Sequence, residues 1–252
     1  MTGAQQALGP LLANHRAYWH GWGTEDAADG GVSLYRSGLD SAALNGVTGN
    51  TVPVPEAVAV ARRRLDGVPW FWAVSEASRP GTAEQLLDAG ATLRMTTPVM
   101  ALEPARFRPA RPPRVALDVE RHRPGHLADR VEAYAAAMGI GSLDPARLVR
   151  VEEARRYPGN GLVRFDARID GVVRGTAELL LTGSVGGVYL VATEEGFRGL
   201  GIASVLTAAA VEHALQEGAS ALTLQASAQG VPVYRRLGFE TVTELRSFSL
   251  PA

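Results

Sequence analysis

The chain contains no cysteine. Disulfides, thiolate metal sites and a cysteine nucleophile are therefore excluded. Lysine is absent too, so all 25 of its Lys-or-Arg positions are arginine. That removes a Walker-type phosphate loop, which needs its lysine, and Schiff-base chemistry with it. Arginine in place of lysine, beside abundant Ala and Gly, reads as GC-rich codon usage. Long apolar runs are missing: none approaches the roughly 20 residues of a membrane helix. The opening "MTGAQQALGPLLANHRAYWHGW" has no basic start, and Pro10 breaks its apolar run, so it does not read as a signal peptide. A net charge of −1 gives no pull toward nucleic acid or an anionic membrane. The expectation is a cytoplasmic protein with neither nucleic acid nor membrane as partner.

What is present is an ordinary globular composition, 46% hydrophobic and 20% charged over 252 residues, enough for one large domain or two small ones. The clearest seam is "EPARFRPARPPR", Glu103 to Arg114, with four prolines and four arginines. It reads as a semi-rigid, solvated linker. The expected division is a domain over 1–104, a linker over 105–113 and a domain over 114–252.

Before the seam the pattern predicts a helix over 4–19, short strands at "GVSLYRSG" and "SAALNGV", and a helix in "VPEAVAVARRRLDG". "VPWFWAVSE" reads as a strand, "PGTAEQLLDAG" as a short helix and "ATLRMTTPVMAL" as a strand. Arg62, Arg63 and Arg64 read as a solvated helix face. After the seam the predicted order is β-α-α-β-β-β-α-β-α-β. It has a hairpin turn at Asp170-Gly171, a second turn at Gly186-Gly187 and a helix over 200–217. Both halves end in strand, short helix, Ala/Leu-Gly and strand, which hints at an internal repeat.

The chemistry concentrates in "VATEEGFRGLGIASVL", Val191 to Leu206. An apolar strand hands over to a helix through Gly199 and Gly201, with Arg198 beside them. Unpaired first-turn N–H groups, the helix dipole, the missing Cβ atoms and a guanidinium together make a socket for phosphate or pyrophosphate. The stretch is not a G-x-G-x-x-G dinucleotide fingerprint, because Ser204 stands at the third glycine position. No metal site is expected: Pro124 and Gly125 break the face between His122 and His126, and His15 and His20 read as amphipathic positions.

The run R-G-x-G-I-A after an apolar strand resembles the acyl-CoA signature of the GCN5-related N-acetyltransferases (GNAT), Q/R-x-x-G-x-G/A. Arg198, Gly201 and Ala203 match its fixed positions, and "LTLQAS…VPVYRRLGF" resembles the later strand and aromatic-x-x-x-Gly-Phe motif. The resemblance covers residues 114–250 in detail and implies an α/β GNAT fold, a mixed, mostly antiparallel sheet flanked by helices. With the echo in the first half, it implies two tandem GNAT-like units, the N-terminal one degenerate. The implied activity is transfer of acetyl from acetyl-CoA to an amine by direct attack, with no metal cofactor.

The same resemblance implies the site residues. The loop and helix start, Arg198, Gly199, Leu200, Gly201, Ile202 and Ala203, would hold the pyrophosphate. Val191, Ala192 and Thr193 would pair with the pantetheine arm, with Val191 N–H as oxyanion donor. Tyr234 would be the general acid toward the leaving thiolate. Ser227 stands where many members carry a cofactor-contacting Asn. The base is open: the strand glutamate that some members carry falls on Val185, leaving Glu178, Glu194, Glu195, a water chain or a residue from the N-terminal domain. Arg235 and Arg236 stand between a phosphate-binding and a surface role. The acceptor, a small-molecule or peptide amine, would be lined by the loop Ala136 to Asp144 and by strands near Asn45 and Trp72. The competing reading is a non-catalytic acyl-CoA sensor or a partner-binding pseudoenzyme. A monomer and a homodimer both fit.

Overall fold

The computed structural model describes residues 3–23, 28–122, 125–157 and 161–251; Pro124, named above, lies outside them. In chain order the elements are α1 (Gly3–His20), β1 (Ala28–Asp29), β2 (Val32–Arg36), β3 (Asn45–Asn50), α2 (Val54–Arg64), β4 (Phe71–Val74), α3 (Thr82–Asp88) and β5 (Thr92–Leu102). There follow β6 (Asp118–Arg121), α4 (Leu127–Ala135), α5 (Pro145–Ala154), β7 (Leu162–Ile169), β8 (Val172–Thr182), β9 (Val185–Thr193), α6 (Ile202–Gln216), β10 (Ala221–Gln225), α7 (Val231–Arg236) and β11 (Glu240–Ser249). No described helix is long and apolar enough to cross a membrane.

The contacts define two units. One runs to Pro98 and adds Ala154–Arg156 and the chain from Thr243 onward; the other holds Val99–Glu153 and Tyr157–Val242. The chain changes unit inside β5 and inside β11, not in the proline-rich stretch.

The first unit orders its strands β1-β2-β3-β4-β11, with β3 and β4 parallel. Val47, Trp72, Leu86 and Phe248 share its core. Two residues placed near the acceptor from sequence are structural here. Trp72 is fully buried in that core. Asn45 is also fully buried. Its Oδ1 accepts from the Ser37 and Gly38 N–H groups, and its Nδ2 donates to the Leu39, Ser41 and Pro69 carbonyls. Those bonds hold a 3-10 turn, Ala42–Leu44, where a strand is expected from the sequence. The arginine run is not freely solvated: Arg63 and Arg64 both hold Asp29, at 3.0 and 3.2 Å, and Arg62 donates to the Pro251 carbonyl.

The second unit orders its strands β5-β10-β9-β8-β7-β6, antiparallel except for β9 with β10. The element order after Pro113 is the predicted one. Phe165, Ala177, Leu179 and Val188 join Leu206, Ala210 and Val211 of α6 in a single apolar core. Asp170 and Gly171, both at positive φ, make the expected hairpin turn.

Gly186 and Gly187 are strand, not turn; the turn falls three residues earlier, at Gly183-Ser184. The glycine at 186 serves packing: a Cβ there would lie 2.8 Å from Leu222 Cδ1 and 2.9 Å from Ala214 Cβ. Gly186→Ala is expected to lower stability by about 1–3 kcal/mol, read as a lower urea midpoint. The proline-rich stretch is anchored, not free. Arg108 N–H donates to the Leu237 carbonyl and Arg114 N–H to that of Leu200, while Phe107 and Ala110 pack on the core.

Candidate active site

β10 pairs with β9 only from Ala221↔Val185 to Leu224↔Val188. β9 continues to Thr193, and its other edge stays paired with β8 as far as Gly175↔Thr193. Ala192 and Thr193 therefore keep one edge in the sheet, and with Val191 they border a cavity of about 440 Å³. Backbone donors and acceptors bordering a cavity are suited to an extended, amide-bearing ligand.

The loop after Thr193 closes the same cavity. A 3-10 turn, Glu195–Phe197, leads into Arg198, and Gly199 and Gly201 sit at φ +77 and +96. Glycine alone takes such angles without strain. Gly201 is the N-cap of α6 and supplies no side-chain cap. Gly201, Ile202, Ala203 and Ser204 line the cavity, so the helix presents its dipole and first-turn N–H groups there. The lining holds Arg198 and Arg236 and, among the described residues, no carboxylate. Thr193 Oγ1 is buried and, among the described residues, has no hydrogen-bond partner. A positive glycine cradle beside backbone bordering the cavity fits an anionic, amide-bearing chain such as a coenzyme A thioester.

Of the residues singled out from sequence for the cofactor, all but Leu200 line this cavity. Leu200 turns to the core, and its carbonyl accepts the Arg114 N–H at 2.8 Å. Arg236 lines it; Arg235 lies on a different cavity with Arg106 and Arg108. Ala137 and Met138, from the loop between α4 and α5, also line it. Gln229, Gly230 and Val233 escaped the sequence reading; their only signal was lying within a turn ahead of Tyr234. Ser227 lines the cavity while its Oγ accepts the Gly230 N–H at 3.1 Å, so that oxygen helps start α7.

Tyr234 lines the cavity from α7, its ring edge-on to Phe239. Its hydroxyl makes no hydrogen bond to another described residue. Burial pushes its pKa up to about 12.

Glu178, Glu194 and Glu195 do not line the cavity. Glu194 is held by Arg174 at 2.6 Å, which in turn stacks on Phe197, so this carboxylate ties the loop to β8. Glu195 is exposed. Glu178 is fully buried, 3.2 Å from Arg164 and 3.4 Å from Arg130.

That pair belongs to a buried polar network on the sheet face opposite α6's core. Arg130 reaches Asp166 at 2.5 Å and the Phe165 and Ala177 carbonyls. Arg164 reaches Glu152, which accepts from the Tyr134 hydroxyl. His122 Nδ1 lies 2.6 Å from Asp166. Burial raises the Asp166 pKa, but the His122 hydrogen bond and the Arg130 charge outweigh it and hold it below its ordinary value. A depressed carboxyl contributes stability above the unfolded value, near pH 4, and loses it as pH falls through the folded value. Wild type is therefore expected to lose stability below about pH 4 more steeply than Asp166→Asn, measured by urea unfolding across pH.

Comparison with known proteins agrees with this architecture. Residues 152–249 match the family model described as an acetyltransferase (GNAT) domain. No curated protein matches the chain. Among solved structures, a GCN5-related N-acetyltransferase from Kribbella flavida is 21% identical, with 97% of each chain covered and a TM-score of 0.71. One from Sphaerobacter thermophilus is 17% identical over 86% of this chain and 75% of its own, with a TM-score of 0.62. A tandem GNAT protein from the clavulanic acid biosynthesis pathway is 16% identical over 96% of each chain, with a TM-score of 0.58. Such likenesses speak for the fold, and the family match speaks for the segment that carries the glycine loop. Residues 152–249 thus match the GNAT acetyltransferase domain, within a chain whose fold is that of solved GNAT proteins.

Proposed function

We propose that the second unit transfers acetyl from acetyl-CoA to the amine of a small-molecule or peptide acceptor, by direct attack. The observation that carries this is the single cavity shared by backbone Val191–Thr193, the Arg198–Ala203 cradle and Tyr234. Acetyl-CoA supplies an activated acetyl group on a thioester. Arg198, Gly199 and the start of α6 would hold its pyrophosphate, and Val191–Thr193 its pantetheine arm. Val191 N–H would donate to the acyl oxygen as negative charge develops there. Tyr234 would donate toward the sulfur as the C–S bond breaks and the C–N bond forms. Ala137 and Met138 would border the acceptor.

The first unit reads as a degenerate copy. Two stretches of the chain run parallel strand, helix, strand, helix, strand: β3-α2-β4-α3-β5 and β9-α6-β10-α7-β11. The first has Pro53 at the N-cap of α2, where the second has the glycine cradle.

A second reading, an acyl-CoA sensor, is favoured by one observation: all three candidate bases stand off the cavity, and Glu178 and Glu194 are held by arginines. In the catalytic reading the acceptor enters as free amine or loses its proton through water. Thiol release from acetyl-CoA over a panel of amino acids, polyamines, aminoglycosides and peptides separates the two. The chain has no cysteine, so it adds no thiol background. Release with at least one amine supports transfer. Tight acetyl-CoA binding with no release on any amine supports the sensor.

A further inference from the structure

The ladder between β8 and β9 is interrupted at one place. Thr176 faces Ala192 and Glu178 faces Tyr189, so Leu190 and Val191 together stand opposite Ala177. This is a bulge, and its first residue, Leu190, sits at φ +47. That left-handed position in a bulge is ordinarily glycine's, and a leucine there is an outlier needing support. The support is visible. Thr176, fully buried on β8, donates its hydroxyl to the Leu190 carbonyl at 3.0 Å.

The Leu190 C=O and the Val191 N–H belong to one planar, trans peptide unit and point in opposite directions. A bond that fixes the carbonyl toward β8 therefore fixes the N–H away from it. Away from β8 is the side on which β10 has already ended its pairing. Val191 lines the cavity there.

We propose that Thr176 is a positioning residue: its hydroxyl locks the strained Leu190 peptide so that Val191 N–H is aimed at the reacting carbonyl oxygen. Its catalytic part rests on the acetyl-transfer reading above. The side chain never reaches the ligand; it acts through one peptide plane. Leucine at the bulge makes the lock necessary, because glycine there would take the same angle unaided.

The test uses Thr176→Val, Thr176→Ser, and Thr176→Val combined with Leu190→Gly, in the full chain. The first readout needs no activity: the residual dipolar coupling of the Val191 N–H, measured by NMR on the free protein. It is expected to move in Thr176→Val and to stay in Thr176→Ser. The second readout is kinetic. Thr176→Val is expected to lower kcat about tenfold or more with the acetyl-CoA KM changed less than about threefold. Thr176→Ser is expected to recover most of kcat, and Leu190→Gly to restore part of it in the Val background. Thr176→Ala replaces Thr176→Val should the latter fail to fold. An unmoved Val191 coupling overturns the proposal, as does a kcat loss that neither serine nor the glycine restores. A coupling that moves in Thr176→Val, beside a wild type that releases no thiol with any amine, sinks the acetyl-transfer reading and leaves the lock standing.

Discussion

Gly201→Glu is expected to abolish acetyl-CoA binding, raising Kd at least about 100-fold in calorimetric titration. Three effects add. At φ +96 any side chain is strained. A Cβ at this position would lie 3.2 Å from the Pro113 Cα, backbone of the anchored stretch, so room cannot be made by turning a side chain. The new carboxylate would sit at the start of α6, inside the cavity lining, and repel a phosphate. Circular dichroism should show the helix intact while binding is lost. Binding within tenfold of wild type would remove the glycine loop from the cofactor site.

The second large effect is expected from Tyr234→Phe: kcat lower by about 10²-fold with the acetyl-CoA Kd unchanged. The elevated pKa of Tyr234, about 12, bears on how it would act. Handing a full proton to a thiolate whose thiol titrates near 8.5 is uphill by about 5 kcal/mol. The phenol would therefore stabilise the departing sulfur as a hydrogen-bond donor, with the last proton coming from the acetylated ammonium or water. The sign for pH follows. A phenol with a raised pKa stays protonated through the working range, so turnover should rise as the acceptor amine deprotonates, with no falling limb below about pH 10. A descending limb near pH 9 that vanishes in Tyr234→Phe would contradict the burial of this hydroxyl. Unchanged turnover in Tyr234→Phe would remove its role.

The cavity beside the glycine loop was legible because its features are local. Gly199, Gly201 and Arg198 spell a backbone conformation and a charge within four residues, and the strand before them and helix after them are periodic. Other features could not be read because their cause lies far along the chain. Gly186-Gly187 looks like a turn, yet the glycine at 186 answers to Ala214 and Leu222. The proline-rich stretch looks solvated, yet its N–H groups bond to Leu200 and Leu237. Glu178 looks like an available carboxylate until α4 and β7 bring Arg130 and Arg164 to it. Asn45 and Trp72 look like acceptor contacts, and their burial comes from partners in other elements. The bulge at Leu190 left no mark at all, since an apolar strand with one extra residue reads as an apolar strand.

The two strands that change unit also set an order of events during synthesis. β4 of the first unit pairs with Trp72↔Phe248, a partner made some 176 residues later. β5 meets β10 through Leu102↔Leu222. A ribosome that has released the first half has therefore delivered a sheet still missing its last strand and a strand still missing its sheet. Neither can close early, and pairings of such long separation fold slowly. Cutting the chain in the proline-rich stretch should yield two pieces that are insoluble apart and regain structure only when expressed together.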